Sequence, residues 1–163
     1  MRTIDATGLL LCRKQGEIFE QSPHMATCGS AIFIRRFMHS HVAERFDSGS
    51  YPFEANSIAS IFMEIEHQYG KSRYGSTRYS GEELYWMGYL YRYWAYVSEM
   101  SSSRIYSIAS ARELRPLYAA YHTLDPEMAI ERIAEAKGIS LDHPSMKEQV
   151  KALRRIRKRL NLY

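Results

Sequence analysis

The chain has 163 residues, 45% of them hydrophobic and 25% charged, which fits one globular domain and excludes a disordered or fibrous class. It has no run of about 18 apolar residues, so no membrane span is expected, and two cysteines are too few for a disulfide scaffold. The net charge of +4 is uneven: residues 145–163 hold seven Lys/Arg and one Glu, and the rest is slightly acidic.

The first residues, MRTIDATGLLLCRKQGE, have only a short apolar run and no cleavage pattern, so a signal peptide is not expected and a cytoplasmic location is. Cys12 and Cys28 read as buried free thiols. Two short apolar runs, Leu9–Cys12 and Glu17–Phe19, flank Arg13, Lys14, Gln15 and Gly16. They suit a small β-hairpin with its turn at Gln15 and Gly16.

From Ser30 the pattern is helical. Ser30 is the expected N-cap, and Ile34, Phe37, Met38, Val42 and Phe46 follow at helical spacing until Ser48–Ser50. Asn56 or Ser57 caps a helix through Ile58, Ile61, Phe62 and Ile65, closed by Gly70. Residues 71–79, KSRYGSTRY, read as an exposed loop.

Ser80 and Glu83 have capping-box spacing and open LYWMGYLYRYWAY, Leu84–Tyr96, with five tyrosines and two tryptophans. On a helical wheel Leu84, Met87, Gly88, Tyr91 and Ala95 share one face. Tyr85, Tyr89, Arg92 and Tyr96 share a second, and Trp86, Leu90, Tyr93 and Val97 a third. A helix apolar or aromatic all round is either central or presents a face to a partner. The first face reads as core. The Tyr85/Tyr89/Arg92/Tyr96 face reads either as core or as a partner-binding stripe with Arg92 stacked on tyrosine.

Ser101–Ser103 break this helix and start a short one at Arg104–Ile108. Ser110 and Glu113 cap a turn at 111–114, and Pro116 begins the next helix. Asp125, Pro126 and Glu127 form a strong start signal: N-cap, proline at the first helical position, acid in the first turn. Gly138 closes that helix. After a linker, Ser145 and Glu148 cap a last helix with an apolar stripe and the basic residues Arg154, Arg155, Arg157 and Lys158. The expected class is mainly α: a compact orthogonal bundle over 1–138, then a linker and basic amphipathic helix over 139–163.

Catalytic and metal signatures are weak. His39 and His41 are two residues apart and diverge on a helix, so no metal site and no cofactor are expected. Arg36 with His41, and Arg115 with His122, fit the loose R-x(4–6)-H spacing of HEPN ribonucleases, with imidazole as base and arginine stabilising phosphate charge. That pattern is degenerate. No nucleophile elbow or phosphate loop is present, and Asp47, Glu54, Glu64 and Glu66 read as solvated charges.

Five segments carry a resemblance: QGEIFE (Gln15–Glu20), AIFIRRFMHSHVA (Ala31–Ala43), ELYWMGYLYRYW (Glu83–Trp94), SSSRIYSI (Ser101–Ile108) and YHTLDPEMAIERI (Tyr121–Ile133). In order and spacing they resemble a group of small bacterial and prophage proteins associated with toxin–antitoxin operons. The match spans residues 15–135, and 139–163 depart from it. The resemblance implies a non-enzymatic antitoxin that binds a toxin encoded nearby, blocks its substrate or nucleotide pocket, and assembles as a homo-oligomer or heterotetramer. It transfers no catalytic residue. The expected contact residues are Tyr85, Tyr89, Arg92 and Tyr96, with Arg154, Arg155, Arg157 and Lys158 of the tail. The alternatives are a HEPN-like ribonuclease and a nucleic-acid-binding regulator using the tail.

Overall fold

The computed structural model describes residues 1–49 and 51–141, together with Arg154, Arg155 and Lys158. Within these residues the secondary structure is entirely helical. No helix among them is long and apolar enough to cross a membrane. Ser145, Glu148 and Arg157 lie outside the described residues, as does the stripe expected of the last helix.

The expected N-terminal hairpin is replaced by a 20-residue helix, α1 (Ala6–Met25). Asp5 caps it, its carboxylate accepting the Gly8 N–H at 2.8 Å. Leu11, Cys12, Gln15, Ile18, Phe19 and Ser22 are buried, a helical rather than alternating pattern. The reading as two short strands went wrong at Gly16. That glycine marks a close approach between helices rather than a turn: a Cβ there would lie 2.9 Å from the Tyr85 ring.

The helix expected from Ser30 through Phe46 is broken in two, α2 (Ser30–Met38) and α3 (His41–Asp47). Ser40 makes the break. Its hydroxyl donates to the Phe37 carbonyl at 2.6 Å and accepts the Ala43 N–H at 3.1 Å, ending one helix and capping the next. The α2 N-cap is Gly29 rather than Ser30, whose Oγ instead accepts the Tyr79 N–H. Thus α2 is pinned to the segment 71–79. That segment is mostly exposed, as expected, yet it buries Tyr79 and threads back along the start of α2 through Gly29 N–H to Tyr74 and Ser30 N–H to Thr77.

A short 3-10 turn (Phe53–Ala55) leads to α4 (Ile58–Tyr69), capped by Ser57 and closed by Gly70 at φ +79°. The aromatic helix is α5 (Gly81–Ser98), opened by the complete Ser80/Glu83 capping box. It is followed by α6 (Ser102–Ile108), α7 (Ala111–Leu114), a 3-10 turn at Arg115–Leu117, α8 (Tyr118–Tyr121) and α9 (Pro126–Ala136). The Ser110/Glu113 box and the Asp125 cap form as the sequence indicates. Pro116 sits in the 3-10 turn, and the α-helix resumes two residues later.

α5 is the centre of the fold. α1 packs antiparallel along it, with Gly8 against Tyr96, Gly16 against Tyr85, and Gly88 against the Gln15 carbonyl and Phe19. Phe19 also meets Phe37 and Phe33 edge-on at ring distances of 5.1 and 5.7 Å, which ties α2 to the α1–α5 pair. Phe46 of α3 and Phe62 of α4 extend this aromatic cluster.

Peripheral helices are fastened by carboxylates held below their ordinary range. Lys137 donates to Glu113 at 2.8 Å, and with the Ser110 N–H it brings the Glu113 pKa down to about 2. Arg45 depresses Glu64. Burial opposes ionisation of Glu83, but Arg115 and Ser80 outweigh it. Each folded pKa lies below the ordinary glutamate value of 4.5. Their contribution is therefore present above 4.5 and lost as pH falls towards the folded values. The urea midpoint is expected to be flat from neutral pH down to the ordinary glutamate range and to fall below it. Glu113→Gln shallows that fall, and an unchanged slope would show that the Glu113 contacts are not felt in stability.

Candidate functional site

The three faces of α5 meet different fates. Leu84, Met87, Gly88, Tyr91 and Ala95 are buried, and the Tyr91 hydroxyl donates to the Ala109 carbonyl at 2.7 Å. This is the core face. The Tyr85/Tyr89/Arg92/Tyr96 face is divided three ways.

Arg92 is not on the surface: its side chain is 1% exposed. Its Nη1 meets Asp47 at 2.6 Å, Nε donates to Gln15 at 2.8 Å, and Nη2 donates to Ser102 Oγ at 2.6 Å. Ser102 in turn gives both its N–H and its hydroxyl to Asp47, and Gln15 Nε2 donates to the Gly88 carbonyl. Burial pushes the Arg92 guanidinium below its ordinary pKa, against the pull of Asp47. Four helices thus share one buried charge. Asp47 is not the solvated charge expected but the counter-ion of that arginine. Cys12 lies within reach of the same charge, yet burial dominates and raises its thiol to about 12, which leaves it inert.

Tyr96 is fastened to the N-terminus. Its hydroxyl donates to Asp5 at 2.7 Å, which raises the phenol pKa and lowers that of the carboxylate. The Arg2 guanidinium lies 3.8 Å from the centre of its ring. Tyr96 and Asp47 border one cleft of about 520 Å³, walled by charges that already pair with each other.

Tyr85 and Tyr89 do face solvent, half-buried, with ring centres 6.2 Å apart. They open onto a groove of about 530 Å³ between α5 and the segment from α8 to the start of α9. Trp86 forms its floor with Leu90, Tyr118 and His122 stand opposite, and Glu20 and Glu82 lie at its edge. Trp86 meets Tyr118 edge-on at 5.7 Å, and Tyr118 stacks on His122 at 4.4 Å. Burial raises the phenols of Tyr85 and Tyr89, so both stay neutral.

Of the expected contact residues that are described, only Tyr85 and Tyr89 share this groove. Trp86, Tyr118, His122, Glu20 and Glu82 were missed. Trp86 sits on the helix face assigned no role. The i, i+4 spacing of Tyr118 and His122 was the signal that could have found the far wall. Arg154, Arg155 and Lys158 are helical and exposed.

The two Arg/His pairs are engaged elsewhere. Arg36 donates to the Gly70 carbonyl, while His41 lies on the next helix beside Glu44. Arg115 pairs with Glu83 and covers the Tyr79 ring, and His122 Nδ1 contacts the Tyr118 carbonyl at 2.7 Å. His39 Nδ1 meets Ser103 at 2.7 Å. Among the described residues no three His, Cys, Asp or Glu side chains cluster as metal ligands would.

No family model matches the chain, and no curated protein and no solved structure matches it either.

Proposed function

We propose that this protein is an antitoxin that neutralises a toxin enzyme encoded nearby by direct contact, blocking its substrate or nucleotide pocket. The observation that carries this reading is the aromatic groove, in which Tyr85, Trp86, Tyr89 and Tyr118 line a concave surface. Tyrosine and tryptophan dominate interface hot spots because each offers a large apolar body with a polar tip. These rings are also held in place: Tyr85 rests on Gly16, and Trp86 on Tyr118. Binding therefore orders few new side chains, which favours affinity. The family resemblance supplies the class of partner, and the groove supplies the contact surface. The assembly is a heteromeric complex, a heterotetramer if the protein self-associates.

The test is expression of the adjacent reading frame with and without this one, scoring growth and recovering the complex through a tag placed here. Growth rescue with a stable complex is expected. Trp86→Ala and Tyr89→Ala should each weaken the complex by about 2 kcal/mol, some thirtyfold, measured on the folded fraction because both rings also pack against the core. Tyr96→Phe should leave it intact. A harmless neighbour that forms no complex rejects the reading.

The exposed helical residues Arg154, Arg155 and Lys158 favour a second reading, a nucleic-acid contact through the tail. It requires DNA or RNA binding that falls steeply with salt and disappears when all three are changed to Gln. Salt-independent or absent binding removes it.

A further inference from the structure

We propose that the aromatic groove captures an arginine side chain of the bound partner. The inference rests on the protein-binding reading and names the chemistry of the group that is bound. Tyr85, Trp86, Tyr89 and Tyr118 line one concavity, and aromatic faces attract cations through their ring quadrupole.

The charges around it favour the same sign. Glu20 makes no hydrogen bond or ion pair among the described residues. Glu82 receives only a long contact, 3.4 Å, from the Tyr118 hydroxyl. The other nearby acids are engaged: Glu83 by Arg115, Glu17 by Lys14, and Asp125 as the cap of α9. Among the described residues, Arg13 is the one cation acting on both Tyr85 and Tyr89. His122 Nδ1 contacts the Tyr118 carbonyl at 2.7 Å, so this nitrogen is the donor and is turned to the backbone.

An anion would meet two unneutralised carboxylates here. A purely apolar side chain would desolvate them without return. Arginine suits both elements, because its planar guanidinium stacks on rings while its fork of donors reaches carboxylates. Lysine offers only a compact, strongly hydrated charge.

The experiment uses the full chain and an acetylated, amidated Gly-Arg-Gly peptide. Its control is the citrulline twin, which has the same shape and no charge. The readout is the indole N–H resonances, with Trp86→Phe identifying that of Trp86. The arginine peptide should move the Trp86 signal with millimolar affinity and leave buried Trp94 in place. The citrulline peptide, and the arginine peptide on Glu20→Gln/Glu82→Gln, should each bind at least about tenfold more weakly.

Equal binding of the two peptides, or no shift at Trp86, overturns the proposal. So does movement of the Trp86 signal when Arg154, Arg155, Arg157 and Lys158 are changed to Gln without peptide, because the protein's own tail would then be the occupant. The two failures are separable. A toxin complex indifferent to Glu20→Gln/Glu82→Gln ends the arginine inference and keeps the antitoxin reading. Selective arginine binding with no toxin complex does the reverse.

Discussion

Asp47→Ala is expected to destabilise the folded protein by about 3 kcal/mol, the low end of the cost of breaking a buried ion pair. The reason is the partner left behind. Arg92 is fully buried and cannot shed its proton, so its charge would have to remain in the core with Gln15 and Ser102 as neutral acceptors. Two features hold the cost at the low end. The Asp47 side chain is 18% exposed, and it borders the 520 Å³ cleft, so water can reach the vacated position. Replacing both charges, Arg92→Met with Asp47→Ala, should be less damaging than the sum of the single changes, because neither charge is then left unpaired. Urea unfolding of the three variants gives the coupling energy. Additivity would show that the pair does not act as a unit. Arg92 and Asp47 lie apart from the aromatic groove, so the same variants should lower protein yield without changing the affinity of the folded fraction for the proposed toxin.

Gly88→Val is the second large effect, about 3 kcal/mol of destabilisation from overpacking at the α1–α5 crossing. A Cβ at Gly88 would stand 2.6 Å from the Gln15 carbonyl oxygen and 2.8 Å from Phe19 Cγ. The first is backbone and cannot rotate aside, so α1 has to move. Moving it also disturbs the Gln15 side chain, which bridges the Gly88 carbonyl and the Arg92 guanidinium. Helix propensity acts in the opposite direction, by about 1 kcal/mol for glycine to alanine. Gly88→Ala should therefore lose less than valine yet remain destabilising. Gly16→Ala is the control. Its nearest neighbours are ring atoms of Tyr85, side chain rather than backbone, so relief shifts that ring and not a helix; it should cost less stability than Gly88→Ala and instead disturb the groove. A thermally stabilised Gly88→Ala would mean the two helices part without penalty.

Much of the architecture was legible in local signals. The Ser80/Glu83 and Ser110/Glu113 boxes, the Asp125–Pro126 start and the Gly70 and Gly138 stops form where the residues indicate, because caps satisfy backbone groups within a few residues of themselves. The all-round aromatic character of residues 84–96 left α5 either central or turned to a partner, and it is central. What the sequence could not state was the part that depends on which helix lies against which. Gly16 has the same composition signal in a turn and in a helix crossing; only the arrival of Tyr85 makes it the latter. Ser40 reads as an ordinary helix residue until its hydroxyl is seen serving two helices at once. Arg92 shares a wheel face with Tyr85 and Tyr89, but Asp47 and Ser102 lie 45 and 10 residues away along the chain and draw it inward. The groove is tertiary for the same reason: Trp86 becomes part of a surface only because the chain returns 32 residues later to place Tyr118 opposite it. Local hydrogen bonding determined the elements of this protein. Long-range charge pairing and close backbone approach decided which of its aromatic residues are core and which line an open groove.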